Sequence, residues 1–379
     1  MSENIQRLPG HGRAWVEIDL DALAHNVAEL RSMLPVGCEL MAIIKADAYG
    51  HGAQRVSARL QCEGIEAFGV ATVDEGVILR ESGLKGEILV LGYTHPDNAH
   101  LLSNFDLSQI VVDAAYANAL NRTGYMINVH IAIDTGMHRL GIFSSDFDEI
   151  ESIYSYKNLT VKGVASHLSS SDSLDESDLK FSHMQIERFS AIVGKLKHKG
   201  YNVGKLHIQA SDGLFNYPEI KYDYVRVGIA LFGVMSHDYD VNMKPVLRPM
   251  LSIRAFVAQV RWIGAGESVS YGRIFTSDKP TKIATVCIGY ADGIPRQMSG
   301  NGGVCIVRGH KVPIVGRICM DMLMLDVTEV DSVIAGDIAT FIGSDASEEI
   351  RCEYVAAASG TITNDILCRL GSRLPRIYI

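Results

Sequence analysis

The chain has 379 residues, 47% hydrophobic and 21% charged, with a formal net charge of −9. That composition excludes disordered and collagen-like chains, and the acidic balance argues against nucleic acid or an anionic membrane as main partner. No apolar run approaches the ~18 residues of a membrane span, and seven cysteines without C-x-x-C spacing read as reduced thiols in the cytoplasm.

Residues 1–13 are polar, carry no apolar signal region and read as a linker. A strand candidate follows at 14–20, then a helical pattern at 21–34 with Leu23, Val27, Leu30 and Leu34 on one face. From 39 to about 233, eight short apolar runs alternate with helical stretches. They lie at 39–44, 66–71, 87–91, 108–112, 127–133, 161–165, 205–209 and 224–227. Among the intervening helices, 184–196 is the clearest, with Ile186, Phe189, Ile192, Val193 and Leu196 in phase. Strands alternating with helices imply parallel pairing, and eight units imply a closed (β/α)8 TIM-type barrel. A doubly wound open sheet is the competing arrangement.

After Met250 the texture changes. Short β-rich runs at 251–260, 282–288, 304–307 and 313–315 are separated by Gly-rich turn signals. Met320, Met322 and Met324 alternate at strand period, and 300–303 reads as a hairpin turn. The expected division is therefore a linker at 1–13, a barrel at 14–246 and an all-β C-terminal domain at 247–379. The strand at 14–20 could join either domain.

The common nucleotide, zinc-protease and serine-hydrolase motifs are missing, and no metal is expected. The strongest feature is Met41-Ala-Ile-Ile-Lys45-Ala-Asp-Ala-Tyr49-Gly-His51-Gly. Lys45 lies at the carboxyl end of an apolar run, where barrels place catalytic groups. Burial there lowers an amine's pKa, as Schiff-base chemistry requires. Arg139, His167, Ser211 and Arg226 fall at or near the ends of other runs. Singly each has an ordinary reading: a solvent-facing lysine, a core histidine, a surface ion pair. Converging on one barrel mouth, they suit an anionic, phosphorylated cofactor.

The Lys45 segment resembles the pyridoxal phosphate lysine motif of alanine racemases. Four further segments look like that family's other signatures, in order: Asp134-Thr-Gly-Met-His-Arg139-Leu-Gly, Val269-Ser-Tyr271-Gly, Ile288-Gly-Tyr290-Ala-Asp292-Gly and Gly316-Arg-Ile-Cys-Met320-Asp321. The resemblance spans residues 15–376 and implies a barrel plus β domain, pyridoxal 5′-phosphate, and a homodimer with shared active sites. It implies that Lys45 bears the cofactor and is one catalytic base, with Tyr271 of the other subunit as the opposite base. Arg226 would face the pyridine nitrogen, and His167 would bridge Arg226 and Tyr271. Tyr49, Ser211, Gly228 and Ile229 would hold the phosphate. Arg139 would lie near the cofactor's phenolic oxygen, and Tyr290 and Met320 would line the substrate side.

Two departures from that family matter. Ala132 stands where a carbamylated lysine is expected, so chloride or a neighbouring acid would have to face Arg139. Asn364 stands where the family carries a tyrosine near phosphate and substrate. The second departure resembles the cytosolic racemase domain of the membrane serine racemases found with vancomycin resistance, and implies a possible membrane domain before residue 1. The expected activity is interconversion of L- and D-serine and of L- and D-alanine. A strict alanine racemase, a decarboxylase, a non-catalytic pyridoxal phosphate carrier and a cofactor-free interaction protein are the alternatives. Arg226 speaks against the decarboxylase, and Tyr271 against the carrier.

Overall fold

The computed structural model describes residues 12–236 and 239–379. The linker expected at 1–13 therefore lies outside the described residues except for its last two. Eight strands form where apolar runs were expected: Glu39–Ile43, Ala67–Val70, Glu87–Val90, Ser108–Val111, Ile127–Asp134, Leu159–Ala165, Lys205–His207 and Tyr224–Val227. They are apolar on both faces, as strands covered by helices must be; Met41, Phe68, Leu89, Val129 and Val164 are all buried. The first seven pair in parallel, each with the next, and the eighth pairs with the first. The remaining seam is closed by main chain. Asp223 donates its N–H to the Leu206 carbonyl at 2.9 Å, and Arg226 to the Gln209 carbonyl at 3.1 Å. An open sheet would leave that edge unpaired. The first domain is a (β/α)8 barrel.

The helix expected at 21–34 forms as Leu20–Ser32, capped by Asp19, whose carboxylate accepts the N–H groups of Asp21 and Ala22. The helix expected at 184–196 is the inner part of the longer Glu176–His198. Its extension is polar, with Glu176 and Asp178 in the first turn, where negative charge favours a helix start. Apolar periodicity does not see such residues.

In the second domain six strands close a ring of antiparallel pairs. Around it run Leu251–Ile263, Thr281–Val286, Leu323–Asp326, His310–Val315, Val304–Val307 and Ile338–Asp345, the last pairing back to the first. Ala14–Ile18, which precedes the barrel in sequence, joins this domain by pairing with Leu251–Ile263 and with Arg376–Tyr378. Two short helices, Cys352–Ala358 and Thr363–Cys368, decorate it. The second of these reaches back to the barrel, where Thr363 donates to the carbonyls of Ser236 at 3.1 Å and Met235 at 2.7 Å.

Two local expectations need correction. Met320 and Met322 precede the strand Leu323–Asp326, so their alternation is not strand pairing. The glycines at 300 and 302 make a turn that leads from the short 3-10 helix Arg296–Met298 into Val304–Val307. The true hairpin joins Val304–Val307 to His310–Val315 through Arg308 and Gly309.

Candidate active site

The carboxyl ends of the barrel strands surround a cavity of about 400 Å³. Lys45, Tyr49, Arg139, His167, Ser211, Arg226, Gly228, Ile229 and Asn364 all line it. The first eight come from the barrel, and Asn364 comes from the helix of the second domain that docks on the mouth. Tyr271, Tyr290 and Met320 of the same chain do not line this cavity. They stand in the β domain, 69%, 41% and 53% exposed.

The backbone after Lys45 is unusual. Ala46, Asp47, Ala48 and Tyr49 all have φ between 51° and 54°, a left-handed turn built without glycine. Each such residue costs about 1–2 kcal/mol relative to the right-handed form. Gly50 follows at φ 79°, and a Cβ there would lie 2.4 Å from the Leu367 carbonyl oxygen, so only glycine fits. Beneath the turn, buried His51 hydrogen-bonds through Nδ1 to the carbonyls of Ala48 and Tyr49 and stacks on Phe232 at 4.4 Å. Burial lowers the His51 pKa to about 4.

Arg226 is buried and holds five hydrogen-bond contacts. Its Nη1 meets His207 Nδ1 at 2.6 Å, and its Nη2 meets His167 Nδ1 at 2.9 Å and the Ser166 carbonyl at 2.7 Å. Burial lowers its pKa to about 10, with Arg139 nearby adding to the effect, so it remains a cation at neutral pH. Burial first, and then Arg226, Arg139 and Lys45, push His167 down to about 3. It is therefore neutral and accepts from Arg226. His207 is likewise held far below the ordinary imidazole value by burial. Behind His207, its Nε2 lies 2.8 Å from His130 Nδ1, and His130 Nε2 lies 2.7 Å from Glu87 Oε1.

At the other side of the cavity the hydroxyls of Tyr49 and Ser211 face the start of the segment after the eighth strand. Gly228 donates its N–H to Ser211 Oγ at 3.3 Å, and a Cβ at Gly228 would sit 2.7 Å from the Tyr49 hydroxyl. Among the described residues the Lys45 ammonium, the Arg139 guanidinium and the Tyr49 hydroxyl have no hydrogen-bond or ion-pair partner. Asn364 Oδ1 is buried and unpaired. Ala132 is buried in a small apolar cluster with Ile110 and Ala165. The carboxylate of Asp134, which also lines the cavity, is taken up by Gly136 and His138. No neighbouring acid therefore pairs with Arg139 among the described residues.

Tyr271, Tyr290 and Met320 belong to three loops that are tied together. Ser270 donates Oγ–H to the Arg317 carbonyl at 2.6 Å, and Tyr290 and Ala291 donate to the carbonyls of Cys319 and Met320, each at 3.0 Å. Arg13 braces the same loops, making two contacts of 2.8 and 2.9 Å to the buried Asp292 and donating to the carbonyls of Cys287 and Asp321. Ile274 and Met322, on the same loops, are exposed as well.

Sequence comparison gives this arrangement its family. A model described as the alanine racemase N-terminal domain matches residues 18–236, and one described as the alanine racemase C-terminal domain matches 250–378. The chain belongs to the alanine racemase family. An alanine racemase of Carboxydothermus hydrogenoformans is 39% identical over 370 residues, covering 96% of this chain and 99% of that protein. An Enterococcus faecalis protein named amino-acid racemase is 42% identical over 363 residues, and an Enterococcus gallinarum serine/alanine racemase 38% identical over 365. The chain covers only 51% of the length of each of these two relatives, while 96% of it is matched. Among solved structures, the Clostridium difficile alanine racemase superimposes with a TM-score of 0.90 at 29% identity, covering 97% of this chain and 96% of that one. The Bartonella henselae alanine racemase with covalently bound pyridoxal phosphate gives 0.84 at 30% identity, covering 97% and 100%.

The family depends on pyridoxal phosphate. The residues present fit that group: an unpaired lysine and arginine, a buried arginine kept cationic, and the unengaged Tyr49 hydroxyl beside Gly228. The residues that sequence reasoning missed are His207, His130 and Glu87. The first two stood in the sequence as polar breaks inside apolar strand runs.

Proposed function

We propose that this chain interconverts the L- and D-forms of alanine and of serine, at sites that a second copy of the chain completes. The observation that supports this reading most is the cavity at the barrel mouth, where Lys45 stands unpaired and Arg139, Ser211 and Arg226 line the same space from the fifth, seventh and eighth strands and the loops after them. Pyridoxal phosphate, when bound, weakens the substrate's Cα–H bond by drawing electron density from it. Lys45 would hold the cofactor, and its amine would take or return the Cα proton on one face. Tyr271 of the second copy would do the same on the other face, since racemisation needs a base on each side.

Arg226, fixed by His207, His167 and the Ser166 carbonyl, would present its cation to the cofactor's ring nitrogen and disfavour protonation there. Neutral His167 would stand between Arg226 and the incoming Tyr271. Tyr49, Ser211 and the main-chain N–H groups of Gly228 and Ile229 would bind the phosphate, Arg139 would face the phenolic oxygen, and Tyr290 and Met320 would close the substrate side. A homodimer is supported by the exposure of Tyr271, Tyr290 and Met320 on loops that hydrogen bonds tie together. Seven free thiols suit a reducing, cytoplasmic setting.

Serine is supported by Asn364, which lines the cavity and carries a donor and an acceptor on its amide, and by the likeness to the Enterococcus gallinarum serine/alanine racemase. A strict alanine racemase is the second reading, favoured by relatives of that name matched along nearly their whole length. Parallel racemisation assays on L-serine and L-alanine with added cofactor separate them. Turnover of alanine alone removes serine from the proposal, and turnover of neither removes the racemase reading.

A further inference from the structure

We propose that Glu75 is a positioning residue: it fixes the backbone next to Lys45 and so aims the lysine amine into the cavity. The left-handed run 46–49 starts at the residue after Lys45, and such a run persists only where its surroundings over-determine it. On its far side the second domain holds it. Arg376 donates Nε–H to the Gly50 carbonyl at 3.1 Å, and Tyr378 donates its hydroxyl to the His51 carbonyl at 3.2 Å. Asp47 adds a bond of 2.7 Å from the Ala53 N–H.

On the lysine's side the side-chain anchor is one carboxylate. Glu75 Oε1 accepts the Ala46 N–H at 2.7 Å, while Oε2 accepts the N–H of Ala71 at 2.7 Å and of Thr72 at 3.3 Å. Ala71 ends the second barrel run and lines the cavity as Lys45 does. Glu75 thus clips the loop after the first strand to the loop after the second. Glu75 also completes a capping box with Thr72 at the start of the helix Val73–Glu81. Helix capping accounts for the Thr72 contacts and leaves the bond to Ala46, in another loop, unaccounted for. All three partners are donors, so a carboxylate suits them and an amide, which carries its own N–H groups, does not.

This inference rests on the reading that Lys45 holds the cofactor, and the test separates the two. Amide hydrogen exchange, borohydride labelling of the cofactor-bearing lysine and steady-state kinetics would be measured on the holoenzyme for wild type, Glu75→Gln, Glu75→Asp and Thr72→Ala. Glu75→Gln should exchange faster at 46–49 by at least about tenfold, label more slowly, and lose about a hundredfold in kcat with a smaller change in KM. Glu75→Asp, which keeps the charge, should fall between it and wild type, and it serves as the test if Glu75→Gln does not fold. Thr72→Ala should melt earlier with exchange at 46–49 unchanged. Wild-type label on a lysine other than Lys45 overturns the cofactor reading. Label on Lys45 with wild-type exchange in the Glu75 variants, or with Thr72→Ala reproducing their changes, overturns the role of Glu75.

Discussion

Arg226 and Glu87 stand at the two ends of one chain of hydrogen bonds that crosses the barrel interior through His207 and His130. The donors set its direction. A guanidinium can only donate, so His207 Nδ1 accepts and His207 carries its proton on Nε2. That proton goes to His130 Nδ1, which leaves the His130 Nε2–H for the carboxylate of Glu87. The network assigns both tautomers. A buried cation at the proposed cofactor nitrogen is thereby linked to an anion at the opposite end of the barrel by two neutral rings.

The charge of Glu87 is therefore expected to matter. Burial works to raise its pKa, but the hydrogen bonds from His130, Ser108 and Tyr224 outweigh it, and the carboxyl is held below its usual range. Glu87→Gln keeps an acceptor for His130 and Ser108 while removing the anion and the acceptor that faces Tyr224. Urea unfolding should show a loss of about 1.5–3 kcal/mol, the range for a hydrogen bond to a charged group. An unchanged unfolding midpoint would mean that the chain carries no charge balance.

Sharing of sites between subunits makes a sharp demand on hybrids. A Lys45→Ala subunit paired with a Tyr271→Phe subunit has one site with both lesions and one with neither. A freely exchanging equal mixture of the two inactive variants should regain about one quarter of wild-type activity, because half of its dimers are hybrids with one intact site. Isolated heterodimers without activity would refute the shared site. The exposure of Tyr271 in the single chain is what motivates the experiment.

Much of this was legible in the sequence, for physical reasons that also mark its limits. Eight apolar runs showed the barrel because parallel strands covered on both faces must be apolar throughout. Lys45, Arg139, His167, Ser211 and Arg226 stood out because barrel chemistry collects at strand ends. The chain through His207 and His130 was hidden, because an inward-pointing histidine inside a strand looks like any tolerated polar residue until its neighbour is known. Glu75 was hidden for another reason: its position in the sequence fits an ordinary capping box, and its bond to Ala46 depends on how two loops meet. The left-handed turn was unreadable because Ala-Asp-Ala-Tyr carries no glycine to announce it. Met320 and Met322 misled, since two residues of alternation cannot distinguish a strand from the loop that leads into one.

Acid should destabilise the fold through its buried imidazoles, and the sign follows from their lowered values. His51 titrates at about 4 when folded and near 6.5 when unfolded, so between those values the unfolded chain binds the extra proton. Stability from this group is complete above about pH 6.5 and is lost as pH falls toward 4, by about 3 kcal/mol in all. His167, held at about 3, acts in the same direction over a wider range. In His51→Asn the amide can still donate to the Ala48 and Tyr49 carbonyls and does not titrate. Its melting temperature should fall less steeply than that of wild type between pH 6.5 and 4. Parallel curves would show that His51 is not a source of acid lability.

The choice of substrate is expected to turn on Asn364. Its side chain reaches the cavity because Thr363 is tied to the carbonyls of Ser236 and Met235, which pins the start of its helix to the barrel mouth. An alanine side chain asks only for room for a methyl group. Serine adds a hydroxyl that must find a partner on burial or cost roughly 1–3 kcal/mol. Asn364 lines the cavity, and its amide offers an acceptor for that hydroxyl and a donor for a phosphate oxygen or a bridging water. Alanine is not excluded, because a water can pair with the amide where the serine hydroxyl would, and strong discrimination arises only when a buried polar group is left unpaired. Both substrates should therefore turn over, serine at least comparably to alanine. Asn364→Tyr fills the space and removes the acceptor, so kcat/KM for serine should fall at least about tenfold more than for alanine, as loss of roughly 1.4 kcal/mol of differential binding requires. Equal losses on the two substrates, together with weaker cofactor binding, would assign Asn364 to the phosphate and leave specificity to other residues.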